Sequence, residues 1–98
     1  MEKVKITHTN ITNPKEIVKI LKEENCKNIF EWYDPPNTHY DWHYHSDYEI
    51  RWIYDGELEV GTEDGVFILK PGDKLELEAG VKHWARTKTG VHYIAASK

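Results

Sequence analysis

Between Val4 and Thr7 apolar and polar side chains alternate, the period of a half-buried strand, so a short edge strand is predicted near the start of the chain. Asn13-Pro14-Lys15-Glu16 breaks that period and reads as a helix start. Asn13 can cap the first turn, Pro14 suits the first helical position, and Glu16 stands where a capping box closes. Ile17, Ile20, Leu21 and Glu24 then share one side of a helix expected to end near Asn25, with a single apolar stripe to dock. After Lys27 the pattern is strand and turn throughout. The predicted strands are Ile29–Tyr33, Thr38–His45, Tyr48–Tyr54, Leu58–Val60, Val66–Ile68, Leu75–Leu77, Lys82–Lys88 and Val91–Ala96. Asp34-Pro35-Pro36-Asn37, Ser46-Asp47, Pro71-Gly72-Asp73, Ala79-Gly80 and Gly90 punctuate them, while Asp55-Gly56 and Asp64-Gly65 have the composition of hairpin turns. Strands at this spacing, with no helices between them, predict an all-β sandwich or barrel and exclude a parallel βαβ sheet. The expected organisation is an N-terminal strand-and-helix arm over residues 1–27 and a β-barrel over 28–98, together one domain.

Composition narrows the class. A chain of 98 residues supports one small core. Thirteen Lys+Arg against seventeen Asp+Glu give a net charge of -4, which argues against nucleic acid and anionic membrane surfaces as partners. No apolar run approaches a membrane span, and no apolar stretch follows the charged start as in a signal peptide. Cys26 has no second cysteine to pair with, so a cytoplasmic address is expected. Glu57, Glu59, Glu76 and Glu78 alternate with Leu58, Val60, Leu75 and Leu77 and are read as a solvated outer face. Nine of the twelve aromatic residues fall between Phe30 and Tyr54, and Trp32, Trp42, Trp52 and Trp84 are expected to pack between sheets or at a dimer contact.

The same stretch holds the candidate chemistry. Residues two apart on a strand share a face, so His43 and His45 present both imidazoles to one side. Glu49 lies beyond a tight turn and can reach them if the two strands pair; His83 lies on a strand late in the chain. Imidazoles with one carboxylate suit Fe, Mn, Ni, Co or Zn, whereas magnesium and calcium prefer oxygen shells. Arg51 shares the face of Glu49, as a partner for an anionic oxygen or in a structural ion pair. His39 shares the face of His43 and is read as a rim residue, His8 and His92 have no assigned role, and Cys26 is read as an inert thiol.

The segment His43-x-His45-x3-Glu49-x6-Gly56, followed by Gly72-x5-Glu78-x-Gly80-x2-His83, resembles the two signatures of the cupin superfamily. The resemblance covers roughly residues 28–98. It implies a jelly-roll β-barrel with a divalent transition metal (Fe, Mn, Ni or Zn) held by His43, His45, Glu49 and His83. Asn37 stands where the first signature opens with Gly, Glu78 where the second carries Pro, and Thr87 where it ends with Asn; Asn37 tolerates the positive φ that the Gly supplies. Glu49-Ile50-Arg51 and Ala79-Gly80-Val81-Lys82-His83 are also similar to stretches of acireductone dioxygenases. The resemblance implies a metal-dependent, dioxygenase-like enzyme acting on a small anionic or enediol-type molecule, with Arg51 orienting the substrate. An isomerase, a decarboxylase or a non-catalytic small-ligand sensor is the alternative on the same scaffold. A homodimer is expected, with Val4–Thr7 adding to the sheet of a second copy.

Overall fold

In the computed structural model, which describes residues 3–98, ten elements follow one another. They are β1 (Val4–His8), α1 (Pro14–Glu23), β2 (Lys27–Asp34), β3 (Thr38–His43), β4 (Glu49–Gly56), β5 (Leu58–Thr62), β6 (Gly65–Leu69), β7 (Asp73–Leu77), β8 (His83–Thr87) and β9 (Val91–Ser97). The strands form two antiparallel sheets, one in the order β1-β7-β4-β9-β2 and the other β3-β8-β5-β6. The all-β fold with one short helix predicted from the pattern is observed, in the jelly-roll form that the resemblance implies.

The helix starts as its sequence dictates. Asn13 Oδ1 accepts from the N–H groups of Lys15 and Glu16 at 2.9 and 3.2 Å, which satisfies two of the four free donors of the first turn. Ile17 and Leu21 are fully buried and pack with Ile50, Trp52, Ile94 and Ala96 on the outer face of the five-stranded sheet. Trp52 Nε1 donates to the Ile11 carbonyl at 3.1 Å and ties down the segment before the helix. The inner face packs Ile53, Leu75, Leu77, Tyr93 and Ala95 against Leu58, Val60 and Ala85 of the other sheet. β4 and β9 are thus covered on both faces, which is why their sequences read as nearly continuous apolar runs.

Four expectations are corrected. First, β3 and β4, consecutive in sequence, do not pair; the chain crosses from one sheet to the other at Ser46-Asp47. Second, Asp55-Gly56 is likewise a crossing and not a hairpin, whereas Glu63-Asp64 does close the β5–β6 hairpin. Gly56 has φ +80, and a Cβ there would lie 2.1 Å from the Gly90 carbonyl oxygen. Third, β1 lies along β7 of its own chain, with His8 Nδ1 2.5 Å from Asp73 Oδ1. Fourth, Glu76 is no solvated residue: it is 5% exposed and takes contacts from Tyr48 Oη at 3.0 Å and Lys98 Nζ at 3.1 Å. Its strand lies between β1 and β4, so both of its edges are paired, and Tyr48 and Lys98 cover the side on which Glu76 stands. The tryptophans divide: Trp52 is buried, Trp84 is half-buried over Gly61, and Trp32 and Trp42 are exposed. Asn37 takes the positive φ (67°) expected of it.

Gly56 and Gly80 separate crowding from backbone strain, because Gly80 has φ +83 but open space around its Cβ position. Gly80→Ala is expected to cost about 1 kcal/mol and Gly56→Ala about 3 kcal/mol or more. Denaturant melts of the two variants measure the difference.

Candidate metal centre and cavity

The mouth of the barrel is built where β3 and β8 run side by side. His43 and His83 are register partners on these strands, with ring centroids 4.2 Å apart. His45 lies just past the end of β3, where its carbonyl accepts from the Gly80 N–H at 2.9 Å. The Ala79-Gly80 turn therefore fixes one histidine and delivers the next, three residues on. One nitrogen from each of His43, His45 and His83 lies within 4.8 Å of the others. His43 Nδ1 is 2.6 Å from the Asp41 carbonyl oxygen and His83 Nδ1 is 2.9 Å from that of Val81. A carbonyl only accepts, so each Nδ1 carries the proton and each Nε2 keeps its lone pair. This donor set fits a divalent transition metal.

Glu49 reaches this group across the gap between the sheets. Its carboxylate lies 3.1 Å from His45 Nε2 and 3.3 Å from His83 Nε2, and it forms an ion pair with Arg51. It thus stands beside His45 and His83, outside the group of three nitrogens, and the structural ion pair considered for Arg51 forms with Glu49 itself. Arg51 also donates to the Ile50 carbonyl at 3.2 Å and lies 5.5 Å from the Tyr93 ring centroid. A guanidinium has five N–H donors, so further donors remain for a ligand.

The charges follow from these contacts. Burial works to raise the Glu49 pKa, but His83 and the Arg51 guanidinium outweigh it and hold the carboxyl below its usual range. Burial works to lower His83, and the contact with Glu49 and the Val81 carbonyl reverse this, so its pKa is raised. For His45 burial prevails over the attraction of Glu49 and lowers the pKa. Cys26 is pushed up by burial and by Glu24, consistent with an inert thiol.

Behind the mouth lies a cavity of about 590 Å³, within the usual range for small-ligand sites. Leu58, Val60, Leu75, Leu77 and Ala85 make an apolar wall. His39 lines the rim, as its strand position predicts. A second polar group went unread in the sequence. Asp34, 2% exposed, accepts from Trp32 Nε1 at 2.9 Å, Tyr40 Oη at 2.5 Å and Tyr93 Oη at 3.4 Å. Burial and the Asp34 contact raise the Tyr40 pKa, and burial above all raises that of Tyr93, so both phenols stay neutral donors. Asp34 reads as a turn residue in Asp-Pro-Pro-Asn; its signal was the alternation Phe30, Trp32, Asp34 on one face of β2.

A two-sheet barrel with a histidine cluster at its mouth and a ligand-sized cavity behind it defines a class of small-molecule-handling β-barrels. Residues 30–95 match the Cupin domain family, and the chain belongs to that family. A DUF861-family protein of Thermotoga maritima is similar over 97% of this chain and 99% of its own, with 23% identity and a TM-score of 0.69. A cupin superfamily protein of Desulfitobacterium hafniense matches 70% of this chain and 63% of its own, with 17% identity and a TM-score of 0.65. The DMSP lyase DddQ of Ruegeria pomeroyi is 28% identical over 71% of this chain but only 36% of its own, with a TM-score of 0.66. No curated protein matches the sequence significantly.

The depressed Glu49 pKa stabilises the fold above the unfolded glutamate value, and this contribution is lost as pH falls through the folded value. In chelator-treated protein Glu49→Gln is expected to cost about 2 kcal/mol at neutral pH. The variant should then lose less than the wild type on acidification to about pH 3. Denaturant melts across that range check both.

Proposed function

We propose that this protein is a metal-dependent, dioxygenase-like enzyme acting on a small anionic or enediol-type organic molecule. The observation that carries the reading is the group His43, His45 and His83, two of them locked in the Nε2-donor tautomer, at the mouth of a ligand-sized cavity. These three would hold the ion, with Glu49 as the fourth donor. A bound Fe, Mn, Ni or Zn would act as Lewis acid and template, and a redox-active one would also supply the oxygen chemistry. Arg51 orients the substrate: its free N–H donors face an anionic oxygen while Glu49 fixes the guanidinium plane. The apolar wall excludes water from the bound molecule. Oxygen chemistry is taken by analogy from the resemblance read in the Glu49-Ile50-Arg51 sequence, and the similarity to a DMSP lyase makes an oxygen-independent reaction the arm to compare. We also propose a homodimer, in the cytoplasm: Val66 and Ile68 are each 57% exposed on β6, an edge strand.

Metal content of protein purified without added metal, joined to an aerobic and anaerobic screen of enediols and β-dicarbonyls, tests the activity. Wild type and His39→Ala are expected to take up one equivalent of divalent metal per chain and to turn over, while His83→Ala does neither. A protein that takes up no Fe, Mn, Ni or Zn sinks the proposal; uptake with ligand binding but no turnover makes it a sensor. The metal must displace the His83 proton, so affinity should strengthen about tenfold per pH unit until pH passes the raised His83 value. Titration of chelator-stripped protein reads this slope. Light scattering should return the mass of two chains; a single-chain mass at every concentration removes the dimer.

A further inference from the structure

The end of the cavity around Asp34 is built differently from the histidine mouth. Asp34 is buried, and its partners are three neutral donors, the Tyr93 hydroxyl contact being long at 3.4 Å. A buried carboxylate ordinarily sits beside a cation. Arg51, the cation of this cavity, is paired with Glu49 instead. Among the described residues Asp34 takes part in no ion pair. Around it stand aromatic rings. Phe30 and Trp32 meet at an interplanar angle of 85°, with centroids 6.2 Å apart, and line the cavity together with Tyr40 and Tyr93. Two perpendicular ring planes beside a carboxylate are the elements of a box for an organic cation, which is held by ring faces and by charge at once. Tyr93 already has a cation near its ring, the Arg51 guanidinium.

We propose that Asp34, Phe30, Trp32, Tyr40 and Tyr93 form a subsite for an alkylammonium group, and that the cavity takes a zwitterion whose carboxylate points to the mouth. The ammonium group completes the charge balance of Asp34 and covers Trp32, which is 45% exposed. The carboxylate end rests on the proposed function, since it needs Arg51 and the metal. The cation end does not.

Calorimetry on chelator-stripped protein tests the cation end with choline and its neutral isostere 3,3-dimethylbutan-1-ol. Choline is expected to bind at least about tenfold more tightly than the isostere. Asp34→Asn should remove that advantage and leave isostere binding unchanged, and Trp32→Leu, at a half-exposed position, should weaken choline alone. Thermal melts confirm that the variants fold, and the choline-to-isostere ratio on wild type needs no variant. Equal binding of the two probes, or full choline affinity in Asp34→Asn, overturns the subsite. Glycine betaine tests the other end. Its affinity should rise about tenfold when wild type is loaded with Zn(II), and the rise should be absent in His83→Ala. Choline binding without any betaine gain on loading leaves the subsite standing and overturns the zwitterion and its metal anchor. Metal uptake and turnover without choline binding overturn the subsite and leave the proposed function intact.

Discussion

The Glu49 carboxylate, buried inside the barrel, is the constraint around which the mouth is organised. An ionised carboxylate taken out of water costs several kcal/mol unless charge and hydrogen bonds replace its hydration. Arg51 supplies the charge from the same strand, two residues on, where alternation must put it on the same side. His45 and His83 supply contacts from across the gap. Because β3 and β4 belong to different sheets, these contacts join two sheets that no backbone ladder joins at this place. The site is therefore also a fastening of the fold. Weakening Glu49 would remove a tie between the sheets and one contact each of His45 and His83, so stability and the geometry of these two imidazoles are coupled through one side chain.

The five-stranded sheet explains why local pattern carried so far and where it stopped. The strand segments, the helix with its Asn13 cap and the Asp64-Gly65 hairpin follow from dihedral preferences and turn chemistry, which are local. The His43, His45 and His83 grouping was legible because alternation fixes faces and the two motifs fix order. Sheet membership was not legible. Nothing in Asp55-Gly56 distinguishes a hairpin from a crossing; the difference lies in the remote strands β7 and β9 that pair with β4, while β5 pairs with β6 and β8. Glu76 alternates like a surface residue, yet Tyr48 and Lys98 close over it. In both cases the deciding neighbour is remote in sequence. Asp34 was hidden for a related reason: a carboxylate before Pro-Pro is ordinary turn chemistry, and only the arrival of Tyr40 and Tyr93 from other strands makes it a buried polar centre.

Polarity inside the barrel is arranged across strands and not along them. Glu49 and Arg51 on β4, Tyr93 on β9, and Trp32 and Asp34 on β2 form a polar band over three adjacent strands of one sheet. Leu75 and Leu77 on β7, with Leu58, Val60 and Ala85 of the facing sheet, supply the apolar remainder. A ligand that fits such a cavity has polar groups along one edge and an apolar face opposite, and its orientation is set by the band before any metal acts on it. The two ends of the band also differ in access. His45 keeps 44% of its side chain exposed, while Asp34 is almost wholly covered. The mouth can exchange solvent, whereas Asp34 is covered and fixed by three donors, with Phe30 and Trp32 beside it half-exposed. With the proposed subsite occupied, a molecule held at Asp34 would be presented to the imidazoles at the other end, so that binding energy distant from them would fix the geometry of what lies next to them.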